Sequence, residues 1–321
     1  MFKNLIVYRL GAWPSSAADL EAALQAEPFS PCGASQPKSI GWAPPRGIEH
    51  GALVEAIGGQ WILRLALETK SVPADAVRRL VDEQALRIEN ETGRTVGRRE
   101  RRDMKEDALQ QLLPQAFPRR SHLSAWLDPE RRWLLIDAAS AARADELCSA
   151  LARASGAGWH LEPLITRTSA QAAMTAWLAD EDGDAVPASF VIGQEAELKA
   201  SGEQPASVRF TRHPLQTEEV RQHIAEGKLP ISLALDWQGR VTFTLTEHMQ
   251  LKKIRFGDGV MDEMGDVPTD ERFDADVAIA TSELGRLLDE LIDALGGEDL
   301  RDATGAPINT PGADAGDSAP F

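Results

Sequence analysis

The chain has 321 residues, 43% hydrophobic and 26% charged, with 34 Lys and Arg against 50 Asp and Glu and a formal net charge of −16. Such a chain can bury a sizeable core, in about two domains by length, which excludes a collagen-like chain, a disulfide miniprotein and wholesale disorder. No apolar run reaches the roughly 18–20 residues of a membrane helix, and the apolar stretch before Arg9 is too short for a signal peptide. Two cysteines, Cys32 and Cys148, make no disulfide framework. A reduced cytoplasmic protein with no membrane partner is expected.

The acidity is concentrated at one end. Asp258 to Phe321 holds 17 acidic and three basic residues, so the first 257 residues are nearly balanced. Net acidity usually argues against a nucleic-acid partner. Here it leaves room for local basic patches, with an acidic end held away from them.

In chain order, Lys3 to Leu10 reads as a strand buried on both faces. Ser15 and Ser16 offer N-caps for a helix to about Gln25. The Pro-, Gly- and Ser-rich stretch from Pro28 to Gly51 reads as ordered loop and turns, and Trp61 to Leu67 as a strand. Pro73 to Thr92 is a charged helix with Val77, Leu80, Val81, Gln84 and Ile88 at spacings of three and four. Gly93 and Gly97 bracket a turn, and Arg98 to Leu113 is a second helix ending at Pro114. This helical hairpin has a thin apolar stripe and high charge, as an insertion projecting from the body would. Strands follow at Ser121–Leu127 and Arg132–Asp137 around the turn residues Asp128 and Pro129, then helices from Ser140 to about Ala154 and from Thr168 to Leu178.

Beyond the polar run DEDGD at 180–184 come short strands at Ala188–Ile192 and Ser207–Thr211 and a helix at Thr217–Ala225. Strands at Leu229–Leu235 and Arg240–Leu245 flank a Gln238-Gly239 hairpin turn. Another strand spans Leu251–Phe256, a last one Phe273–Ala280, and a helix with Leu284, Leu287, Leu288, Leu291, Ile292 and Leu295 on one stripe runs to Gly296. Asp299 onward lacks large apolar residues and reads as a disordered acidic tail. The fold class is α+β with largely antiparallel sheets and packed helices.

Catalytic signatures are sparse. There is no Walker loop, dinucleotide fingerprint, HExxH or GxSxG, and the six histidines lack ligand spacing, so neither a cofactor nor a metal is expected. Glu197-Leu198-Lys199 after Asp182 and Asp184 faintly resembles the metal-binding half of a restriction-type nuclease core; an exposed turn is the plainer account. The densest basic patch is Arg94, Arg98, Arg99, Arg101, Arg102 and Lys105, and a smaller one follows at Arg119, Arg120, Arg131 and Arg132. Such runs are commonly solvated helix faces. Phe117, between Pro114 and Pro118, is either a core residue or an anchor that fills a partner's pocket.

FKNLIVYRL, PFSPCG followed by GWAPP, LLPQAF, LALDWQGRVTF and RFDADVAIATSELGRLLDELIDALGGE, in this order from Phe2 to about Glu298, resemble the RdgC family of bacterial recombination-associated proteins. The resemblance implies a ring-shaped homodimer that threads duplex DNA through a basic hole without sequence preference, limits RecA access to DNA and resides at the nucleoid. It implies a central body (1–72 plus 117–182), a helical tip (73–116) and a base domain with a dimer contact (183–298), followed by the tail 299–321. Phe117 matches the family phenylalanine at the ring's gate, Arg212 a DNA-facing basic residue and His213 its polar neighbour, whereas Gln115 stands where a basic residue is expected. No catalysis is implied. A metal-dependent nuclease and an acidic interaction protein whose last 64 residues bind a basic partner or mimic DNA are the alternatives.

Overall fold

A computed structural model describes residues 2–11, 16–156, 160–202, 205–260 and 269–299. In chain order the elements of the first half are β1 (Ile6–Leu10), α1 (Ala17–Leu24), β2 (Lys38–Trp42), β3 (Val54–Ile57), β4 (Gln60–Lys70), α2 (Ala74–Thr92), α3 (Arg98–Leu112), β5 (Pro118–Asp128), β6 (Trp133–Ile136), α4 (Ala141–Ser155) and β7 (Leu161–Pro163). The second half contains α5 (Ala170–Ala179), β8 (Phe190–Ala200), β9 (Ser207–Thr211), α6 (Glu218–Ala225), β10 (Lys228–Trp237), β11 (Val241–Thr246), β12 (Leu251–Phe256) and α7 (Thr269–Ala294). The strands form a first sheet of order β2-β4-β5-β6-β1-β7, with β3 also on β4, and a second of order β12-β11-β10-β8-β9. All their pairings are antiparallel, as expected of strands joined by short turns.

The period-two alternation of the strands divides the first sheet into two buried faces. Leu63, Leu65, Leu123 and Leu134 meet Leu20 and Leu24 of α1 and Leu147 and Leu151 of α4. Ile62, Trp126, Trp133 and Leu135 face the other way and join the core of the second sheet, α5 and α7. Ser16 caps α1, its hydroxyl accepting the Asp19 N–H at 3.1 Å; Ser15 lies outside the described residues. Gln238 and Gly239 both take positive φ, 53° and 68°, in the tight turn that the Arg240 N–H closes by donating to the Trp237 carbonyl at 2.9 Å.

Three expectations need correction. The 28–51 stretch is not all loop, because β2 lies within it, Ile40 and Trp42 opposite Leu67 and Leu65. Its pattern is masked by Gly41, where a Cβ would stand 2.5 Å from Phe29 Cα. Glu197-Leu198-Lys199 is not an exposed turn but the outer half of β8, paired with both β9 and β10. Phe273–Ala280 is helical, continuous with the following segment in α7. The alternation of Phe273, Ala275, Val277 and Ile279 suggests a strand, yet Val277, Ala280, Leu284, Leu287, Leu288 and Leu291 make a helical stripe, all fully buried. The tail from 300 onward lies outside the described residues.

The described part of the acidic end, on α7, is also not held apart from the body. On α7, Asp289 grips Arg131 at 2.6 Å, Asp274 pairs with Arg46, and Glu283 takes Arg240 at 2.6 Å and also Arg286. Glu290 accepts the Trp237 indole N–H at 2.8 Å. Arg46 and Arg131 belong to the first sheet's side and Arg240 and Trp237 to the second, so α7 ties the two together.

Glu283 is only 4% exposed. The hydrogen bond from Arg240, assisted by Arg286, holds its carboxyl below the ordinary glutamate value of 4.5. Glu283→Gln removes the carboxylate that Arg240 and Arg286 share and should lower the unfolding free energy by about 1–3 kcal/mol, less than for a fully buried pair because both arginines keep a wet flank. A carboxylate with a depressed folded-state pKa contributes stability above its unfolded pKa and loses it as pH falls through the folded one. Urea titrations should therefore show the gap between parent and Glu283→Gln narrowing from about pH 6 to about pH 3; a constant gap would contradict the ion-pair account.

Candidate nucleic-acid interface

The helical insertion between β4 and β5 carries the densest cationic patch. Its two helices pack around a small core of their own: Val77, Val81 and Ala85 from α2 against Met104 and Ala108 from α3, with Val96 from the turn. Gly93 ends α2 at φ 68°, a left-handed conformation that suits glycine. With Met104 and Ala108 fixing the inward side of α3, its charges sort into flanks. At about 3.6 residues per turn, Arg98, Arg101, Arg102 and Lys105 fall at i, i+3, i+4 and i+7 along one flank, and Glu100, Asp103 and Asp107 along another.

Not all of these cations are equally available. Arg94 binds Glu100 through both guanidinium nitrogens, at 2.7 and 2.8 Å, and holds that carboxyl below its usual range. Arg101 reaches Asp82 of α2 at 3.0 Å, and Arg102 lies 3.7 Å from Glu106. Arg98, Arg99 and Lys105 are exposed and pair with no acid among the described residues. The surface pairs are worth little and exchange readily for a phosphate.

Arg119, exposed near the start of β5 opposite Thr69, likewise has no acidic partner among the described residues. Its neighbours in the smaller cluster differ. Arg120 binds the buried Glu68 at 2.9 Å and stacks 4.6 Å over Phe29, and Arg131 is held by Asp128 and Asp289, which raise its pKa further. These two act within the body. Phe117, at the root of the insertion beside the Lys70–Pro118 strand pair, is 92% exposed, which excludes the core role.

Arg212 and His213 belong to the second sheet, just past β9, and not to the helical insertion. Arg212 is exposed at φ 54°. His213 is half-buried: its ring lies 5.3 Å from Phe210, Nδ1 is 2.6 Å from the Pro214 carbonyl and Nε2 is 3.7 Å from Glu219. The neighbouring cations Arg209 and Lys252 escape sequence reasoning. They line a cleft of about 350 Å³ with Glu195 and Glu197. The signal is the alternation in Ser207–Thr211, where Val208 and Phe210 pack inward and Ser207, Arg209 and Thr211 are exposed. Among the described residues no group of three or more His, Cys, Asp or Glu side chains could hold a metal ion, and no helix is long and apolar enough to cross a membrane. Asp182 and Asp184 sit in the loop before β8 and form no such group with Glu197.

A family model described as "Putative exonuclease, RdgC" matches residues 1–298. The Recombination-associated protein RdgC of Dechloromonas aromatica (strain RCB) is 42% identical over 303 residues, covering 92% of this chain and 98% of the relative. The relative of the same name from Cupriavidus necator is 41% identical over 306 residues, with 92% and 98% covered. That of Herminiimonas arsenicoxydans is 39% identical over 304 residues, with 94% and 99% covered.

The display of α3 depends on few buried groups. Met104→Ala empties the middle of the small core and should cost about 2–4 kcal/mol locally. Hydrogen exchange should accelerate across 74–112 while β4, β5 and α7 stay protected; uniform loss of protection would show that the insertion has no separate core.

Proposed function

We propose that this chain, which belongs to the RdgC family and whose relatives are named recombination-associated proteins, is a non-enzymatic clamp on duplex DNA. The observation that carries the reading is the stripe of Arg98, Arg101, Arg102 and Lys105 along one flank of α3. Phosphates on one strand of a duplex recur along the backbone, so a helix presenting cations at every turn of one flank can neutralise several of them without reading a base. Arg94, Arg99, Arg119, Arg212 and His213 extend the surface. Net acidity does not oppose this, because at a Debye length of about 8 Å exposed charge farther away is screened.

In this reading two copies close a ring. Residues 1–72 and 117–182 form the body, 73–116 the tip and 183–298 the base with a second dimer contact. Phe117, a solvated aromatic at the root of the tip, is the residue type that fills a partner's pocket. A closed ring on duplex DNA limits the access of RecA by occupancy alone and keeps the protein at the nucleoid. The word exonuclease in the family description names a cutting activity. A restriction-type metal core needs carboxylates that converge with a lysine; what supports the binding reading instead is the cationic flank of α3.

Each phosphate neutralised contributes about −0.9 to the slope of log affinity against log salt. Replacing Arg98, Arg101, Arg102 and Lys105 by alanine should weaken binding to all sequences alike and flatten the slope by about two to four; an unchanged slope excludes α3 as the contact. Phe117→Ser should preserve binding to linear duplex and lose the extra retention on closed circles at high salt. Equal retention of parent and variant on circles would remove the gate, and progressive shortening of duplex ends in magnesium would restore the nuclease alternative.

A further inference from the structure

Over β4 and β5 the segments 28–31 and 42–53 wall a cleft of about 480 Å³. Two of the segments that carry the family resemblance, PFSPCG and GWAPP, supply much of this wall, and the clamp reading gives them no task. The pairings Arg64↔Ser124, Ala66↔His122 and Glu68↔Arg120 place Arg64, His122 and Arg120 on one face of the sheet.

The charges on this face do not cancel. Glu68 is taken by Arg120 and by the Cys32 N–H at 2.8 Å. The Arg64 guanidinium makes no side-chain hydrogen bond or ion pair among the described residues, although the residue is half-buried; its Nη1 lies 3.5 Å from where a Cβ on Gly47 would stand, beneath the Pro44–Gly47 turn. Burial lowers its pKa, and burial, followed by the charges of Arg64 and Arg120, lowers that of His122. Among the described residues the one acid lining the cleft is Glu49, whose side chain is 91% exposed beside His50. A partly desolvated guanidinium without a counter-charge costs folding free energy, and it is recovered when an anion arrives.

The shape of the cleft specifies the anion. Its volume falls in the range of about 300–1,000 Å³ typical of small-ligand clefts, far more than a bare phosphate fills. Phe29, Pro44 and Ile48, the last 54% exposed, give an apolar wall beside the cation. A guanidinium fork matches a phosphate monoester, and an aromatic wall matches a base. We propose that this cleft binds a nucleoside 5′-monophosphate group, free or at the 5′ end of a DNA strand, with the phosphate on Arg64 and His122 and the base against Phe29, Pro44 and Ile48.

The test is calorimetric titration of the full chain with deoxyadenosine 5′-monophosphate. Saturable binding at one site per chain is expected, at least tenfold weaker for deoxyadenosine and for inorganic phosphate. Arg64→Met should reduce affinity at least tenfold while keeping or raising the melting temperature, since it removes an unpaired cation. Ile48→Glu, on the exposed wall, should reduce affinity by repulsion without touching the core. Displacement by a 5′-phosphorylated single strand but not by its 5′-hydroxyl counterpart identifies the strand end as the source, and displacement by neither identifies the free nucleotide. Absence of saturable binding, unchanged affinity in Arg64→Met, equal binding of inorganic phosphate, or equal displacement by both strands would overturn the assignment. The titration needs no ring, so its failure leaves the clamp reading standing.

Discussion

The burial of α7 against both sheets is the constraint on which the remaining structure depends. Its stripe of Val277, Ala280, Leu284, Leu287, Leu288 and Leu291 sits in a core shared with Trp126 and Trp133 of the first sheet and Trp237 and Phe243 of the second. A helix so apolar on its inward side must keep its polar residues at the rim. There they meet arginines: Arg46 and Arg131 on one side, Arg240 on the other. The hydrophobic contact brings the sheets together, and the ion pairs, fixed in direction by the guanidinium fork, set how they face one another.

This arrangement decides which cations are left over. Arg120 and Arg131 look in the sequence like members of an exposed basic group, yet each is answered by a carboxylate with little exposure, Glu68 or Asp128. Part of the acidic surplus near the C-terminus, Asp274, Glu283 and Asp289 of α7, is spent on arginines of the two sheets. Of the cations drawn into the candidate interface, Arg98, Arg99 and Lys105 on α3, Arg119 on β5 and Arg212 just past β9 pair with no acid among the described residues. Net charge is a poor guide to partners here because pairing has already been settled residue by residue.

Much of this was legible in the sequence. The helical insertion was visible from Val77, Val81 and the bracketing Gly93 and Gly97, because 3.6-residue periodicity and glycine stops are local signals. The β10–β11 hairpin was visible from Gln238-Gly239 for the same reason. The start of α7 was not: Phe273, Ala275, Val277 and Ile279 satisfy a two-residue period as well as a helical one, and only the core they enter chooses between them. Nor was β2, whose Gly41 accommodates the crossing backbone of Phe29. The patch at 94–105 could be located but not sorted into paired and unpaired members, since Arg101 finds its acid on α2, nineteen residues away in sequence. The cleft over Arg64 was invisible for the same reason, as its walls come from segments far apart in the chain.

The insertion's independence from the main core bears on how a clamp would operate. Its interior rests on Val77, Val81, Ala85, Val96, Met104 and Ala108, three valines and two alanines around a single methionine, whereas the sheets are held by tryptophans and a long run of leucines. Local opening free energy follows the apolar area a unit buries, so displacing the helical pair costs far less than parting the sheets. A ring that must open to admit a closed duplex needs its gate on the unit that is cheapest to displace. In the proposed clamp that gate is Phe117, which stands where the helical pair joins β5, a strand of the body that α7 locks.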